Sequence, residues 1–104
     1  MDKNEMEMIT VEIIAYSGDA RTKYVEALNA ARNKEYDKAK SLIKEGNELI
    51  AEAHKVQTKM LQMEASGQNV DVGFLTVHAQ DHLMTVVLLR DIINNFIELY
   101  KRCN

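Results

Sequence analysis

Proline is absent from this 104-residue chain, and glycine occurs only four times. A sequence so short of turn-formers cannot punctuate the many short strands and hairpins of a β fold, and its long periodic stretches are free to run as unbroken helix. Cysteine is nearly absent as well. Cys103 stands alone, so no internal disulfide can form and a small stapled scaffold is excluded. There is no excess of basic charge: the formal net charge is −3, which argues against nucleic acid as a partner, because phosphate binding wants a basic face. No apolar run is long enough to span a bilayer, since Val86 to Leu89 is stopped by Arg90 and Asp91, far short of the roughly 20 residues required. The first eight residues carry four charged side chains and show no apolar core of a secretory leader, so a cytoplasmic protein is expected. Hydrophobic residues make up 46% and charged residues 28%, a balance that can offset the entropy of ordering. The length suits one domain.

Three helices are predicted, at about 5–32, 36–66 and 72–102. In the first, Ile9, Ile13, Tyr16, Ala20, Tyr24, Ala27 and Ala31 recur at steps of three and four and share one face. Gly18 interrupts this stretch; a continuous helix is expected, with Gly18 letting a neighbouring helix approach closely. Asn33 is the expected left-handed residue after the helix end. The second stripe comprises Ala39, Leu42, Ile43, Gly46, Leu49, Ile50, Ala53, Val56, Met60 and Met63, and Gly67 terminates it. Asp71 and Thr76 are alternative caps for the third helix. Between Leu83 and Tyr100 that helix is apolar around most of its circumference, so it must be covered on more than one side. Two neighbouring helices cannot do so completely. An all-α, antiparallel up-down-up bundle is therefore expected, self-associating through its third helix.

Chemistry concentrates in Val77-His78-Ala79-Gln80-Asp81-His82-Leu83-Met84-Thr85. His78 and His82 are four apart, so both rings leave one helix face a turn apart. Three readings fit that spacing. His78 can be a nucleophile that takes up and releases a phosphoryl group, with His82, or Gln80 of a neighbouring chain, donating to its oxygens. The two histidines with Asp81 can be ligands for zinc or another transition metal. Or both histidines are partly exposed helix residues with structural partners only. His54 reads as a solvated residue and Cys103 as a bystander. The six methionines read as gap-fillers or as residues of the chain start, where Met1, Met6 and Met8 lie.

The segment from Gly73 to Thr85 closely resembles the active-site region of the IIA components of the lactose/cellobiose-type sugar phosphotransferase system. The likeness extends along the chain: Ala15-Tyr16-Ser17-Gly18-Asp19-Ala20-Arg21 resembles the family's first-helix pattern, and Ala51-Glu52-Ala53-His54 with Gln57-Thr58 resembles its second. The resemblance implies that His78 is phosphorylated at Nε2, receiving phosphate from the carrier HPr and passing it to a cysteine of the IIB component. A membrane IIC component then couples transfer to uptake of a β-linked disaccharide of the lactose, cellobiose or chitobiose type. It further implies a homotrimer, Gln80 and His82 lining the phosphorylation site, and Asp81 meeting its two symmetry copies around a metal, commonly magnesium. Three carboxylates brought together out of water must bind a cation or take up protons.

Two other classes stand against this reading: a trimeric metal-binding scaffold without turnover, and a histidine phosphotransfer module of a two-component pathway. The first needs no acceptor at His78. The second is typically a monomeric four-helix unit.

Overall fold

The computed structural model describes residues 3–103. Three helices account for nearly all of it: α1 (Lys3–Arg32), α2 (Tyr36–Ala65) and α3 (Phe74–Cys103). Short connections fold them into an up-down-up bundle measuring 52 × 20 × 20 Å. Among the described residues there is no strand, and no helix is long and apolar enough to cross a membrane. Met1, at the chain start, lies outside the described residues; Met6 is in the core and Met8 is exposed.

The apolar stripes meet as their periodicity requires. Ile13, Ala20, Tyr24, Ala27 and Ala31 of α1 pack with Ala39, Ile43, Ile50 and Ala53 of α2, and with Ala79, Leu83, Val86 and Ile93 of α3. Alanine at so many of these positions lets the helices approach closely. α1 is the central element: it packs extensively on both neighbours, while α2 and α3 touch one another only slightly.

Both connections are closed by hydrogen bonds that satisfy helix-end carbonyls. After α1, the N–H of Glu35 donates to the carbonyl of Ala30 (2.9 Å) and that of Lys34 to Ala31 (3.0 Å). After α2, Gln68 donates to Met63 (3.1 Å) and Gly67 to Glu64 (3.0 Å). Gly67 has φ of 92°, the left-handed conformation expected of it. At the first connection the left-handed residue is Lys34, with φ of 65°, and not Asn33. α3 begins at Phe74, with Val77 donating to the carbonyl of Gly73 (3.1 Å), so Gly73 takes the cap position in place of Asp71 or Thr76.

Gly18 lies within a continuous α1, but a Cβ built on it meets nothing within 4 Å. The close approach belongs to Gly46, whose added Cβ would stand 2.7 Å from Cε1 of Tyr24. The Tyr24 hydroxyl donates to Oδ1 of Asn47 at 2.7 Å, so the absence of a side chain at position 46 gives the ring its seat across α2.

The outward side of α3 remains uncovered. Phe74, Val77, Met84, Leu88, Ile92, Phe96 and Leu99 are all exposed and follow one another at helical spacing. The chain presents 6893 Å² to solvent, against about 6,000 Å² for a compact monomer of its mass. A contiguous apolar strip of this kind marks an interaction surface.

Candidate functional site

His78 falls in the second turn of α3, beyond the first-turn N–H groups that no intrahelical carbonyl satisfies. The His78 backbone therefore stands within a turn of that donor-rich end. It is exposed, while His82, one turn on, is half-buried. The two rings meet edge to face, with centroids 4.6 Å apart and planes crossing at 78°. The i, i+4 spacing thus produces a real pair, one imidazole open to solvent and the other supporting it.

Asp81 shares the outward side with His78 and is exposed among Val77, Met84 and Leu88. Its carboxylate has no partner among the described residues. The nearby Thr85 hydroxyl contacts backbone carbonyls, those of Asp81 (2.8 Å) and His82 (3.1 Å), and leaves the carboxylate alone. Within one chain, no group of three His, Cys, Asp or Glu residues among those described is placed to hold a metal.

Gln80 departs from the rest. It stands two residues beyond His78, about 200° around the helix, and its amide faces α2. There Nε2 of Gln57 donates to Oε1 of Gln80, and it also approaches Sδ of Met84 at 3.6 Å. Gln80 lines a groove of about 260 Å³ with Gln57, Met60, Leu61, Val70, Val72 and Val77. Of the four residues singled out from the sequence, the fold brings His78, Asp81 and His82 to one side and sets Gln80 on another. His54 is exposed on α2, and Cys103 is exposed at the end of α3.

The link from Gln57 to Gln80 spans 23 residues and a loop. No spacing rule announces such a contact. Its only trace in the sequence is a glutamine on the half-buried edge of the second apolar stripe.

The arrangement offers a solvent-accessible ring nitrogen at the positive end of a helix, supported by a second imidazole and flanked by an apolar strip. This is suited to receiving an anion from a docking protein. Comparisons with known proteins agree in one direction. A family profile described as "PTS system, Lactose/Cellobiose specific IIA subunit" matches residues 8–101. The lactose-specific EIIA component of Staphylococcus epidermidis is 50% identical over 98% of both chains. The crystal structure of the cellobiose-specific enzyme IIA from Bacillus anthracis superposes with a TM-score of 0.92 at 36% identity, covering 99% of this chain and 93% of that one. A IIA(chitobiose)–HPr complex from the Escherichia coli phosphotransferase system matches with a TM-score of 0.80 at 35% identity, over 94% and 95% of the two chains.

Proposed function

Because the chain belongs to the lactose/cellobiose-specific IIA family of the sugar phosphotransferase system, we propose that it is a phosphoryl carrier whose acceptor is Nε2 of His78. The observation that carries this reading is the pairing of an exposed His78 with His82 at the N-terminal end of α3. Neutral imidazole supplies the lone pair.

The donor is the phosphohistidine of HPr, a partner supported by the complex that a similar chitobiose protein forms. Nε2 of His78 attacks phosphorus as the P–N bond of HPr breaks. Each ring keeps the proton on its other nitrogen, so a single phosphoryl group moves and nothing else is consumed. In the onward step a cysteine thiolate of the IIB component attacks the same phosphorus. A P–S bond forms, the P–N bond to His78 breaks, and the imidazole recovers its lone pair. The unsatisfied N–H groups in the first turn of α3 favour the doubly charged intermediate, and His82 holds the ring of His78 in position. A membrane IIC component then uses the phosphate for uptake of a β-linked disaccharide of the lactose, cellobiose or chitobiose type. In this reading the carrier works in the cytoplasm.

The working form is a homotrimer packed through α3. Its support is the exposed strip from Phe74 to Leu99, which a partner's copy of the same strip would cover. Asp81 is a lone carboxylate in that strip, and packing three copies together brings three carboxylates close. An all-oxygen set of this kind suits a hard divalent cation such as magnesium, and Asp81 from each subunit would hold it. The ion's contribution there is to neutralise mutual repulsion at the centre of the assembly.

Incubation with phosphoenolpyruvate, Enzyme I and HPr tests the carrier reading. The chain is expected to acquire acid-labile phosphate that persists in His54→Ala and disappears in His78→Ala. An intact chain that takes up no label contradicts the reading.

A further inference from the structure

The Gln57 amide has a fixed polarity. Its Nε2 faces two acceptors, Oε1 of Gln80 and Sδ of Met84 at 3.6 Å. A thioether sulfur accepts weakly and donates nothing, so the NH2 end of Gln57 is the end that gains a hydrogen bond by facing Met84, and the same NH2 group meets Gln80. Gln80 is thereby obliged to offer its carbonyl oxygen to Gln57 and to direct its own NH2 group elsewhere. That NH2 group has no acceptor within the chain among the described residues, and Gln80 lines the groove walled by Met60, Leu61, Val70 and Val77. It cannot serve His78 of its own chain, which leaves α3 on a different side.

We infer that Gln57 is a positioning residue for phosphoryl transfer: by donating to Gln80 it turns the Gln80 N–H groups outward as donors to the phosphoryl oxygens carried on His78 of a second copy of the chain. The inference rests on the trimeric carrier reading above and adds a residue to it. A sulfur atom on α3 sets one amide on α2, and that amide sets a second on α3. A purely steric role for Gln57 would not depend on which end of its amide faces Gln80.

Reversing the polarity tests this. Gln57→Glu presents only acceptors, so Gln80 must turn its NH2 group inward and face the phosphoryl group with its carbonyl oxygen. Gln57→Ala removes the constraint without reversing it. Both variants are compared with the unsubstituted chain in the HPr-coupled reaction, after circular dichroism and light scattering establish that helicity and assembly are retained. Gln57→Glu is expected to slow labelling of His78 by roughly tenfold or more, below the hundredfold or greater loss typical of an enclosed oxyanion donor because the site is open. Gln57→Ala should lose distinctly less. In ¹⁵N-resolved spectra, the Gln80 side-chain amide protons should shift on phosphorylation of the unsubstituted chain and not in Gln57→Glu. Equal losses in the two variants, wild-type rates in both, or an unresponsive Gln80 amide in the unsubstituted phosphorylated chain would each overturn the inference. Failure of the unsubstituted chain to accept phosphate would instead strike the carrier reading itself.

Discussion

The imidazoles of His78 and His82 touch edge to face at 4.6 Å between centroids, one turn apart on α3. In the proposed carrier the two rings have separate duties: the exposed one meets the incoming protein, and the half-buried one holds its orientation.

Removing His82 should therefore separate the two steps of transfer. His82→Ala keeps the nucleophile of His78, so acid-labile label should still appear from phosphorylated HPr. Onward transfer to the IIB component should slow, because the phosphorylated ring is no longer held. Single-turnover measurement of each step checks this, and complete loss of first-step labelling would show that His82 has a different role.

In the proposed trimer the outward strip of α3 forms the interface. Leu88 is 60% exposed in the single chain, and a charge there would have to be buried unpaired on association, at a cost of several kcal/mol. Leu88→Asp should give a helical monomer by light scattering at micromolar concentration. Asp81→Asn should instead retain the trimer and lose any rise in melting temperature that magnesium confers on the unsubstituted protein. A Leu88→Asp protein that remains trimeric would place the interface elsewhere.

Gly46 exists to admit the Tyr24 ring. A methyl group there would lie 2.7 Å from Cε1 and 3.0 Å from Cδ1 and Cζ, and the ring is held by its bond to Asn47. Gly46→Ala should destabilise the fold by about 1–3 kcal/mol, the usual cost of overpacking. Denaturant unfolding measures it. Gly18→Ala, with open space around it, should be neutral or stabilising, since alanine favours helix.

Tyr24 also confers a pH dependence. Burial pushes its hydroxyl up from 10.0 to about 12, with Asp91 adding to the rise and Arg90 opposing it. A raised folded-state value means that the native state holds this proton more tightly than the unfolded chain does. The contribution is complete below pH 10 and is lost as pH rises from 10 toward 12. Chemical denaturation across that range should show a fall in stability that is smaller in Tyr24→Phe. Identical profiles would contradict the assignment.

Periodicity made most of this fold legible. The stripes of α1 and α2 and the excess apolarity of α3 follow from side-chain spacing alone, and each has its counterpart in the core or on the exposed strip. What spacing could not supply was pairing between helices. Gly46 already stood in an apolar stripe and Gly18 did not, but only the placement of Tyr24 shows which of them admits a neighbour. Asn33 was the better left-handed residue by propensity, yet the hydrogen bonds from Lys34 and Glu35 to Ala31 and Ala30 set the register one position later. The site divides in the same way. His78, Asp81 and His82 form a pattern within a single helix, whereas the partnership of Gln57 with Gln80 exists only because α2 and α3 lie side by side.

The central claim is that one ring nitrogen carries the phosphate. Phosphorus and nitrogen NMR of the chain after charging by HPr, with site location by mass spectrometry under non-acidic conditions, tests it most directly. The account predicts a single phosphoramidate on Nε2 of His78; phosphate on His82, His54 or any other side chain would contradict it.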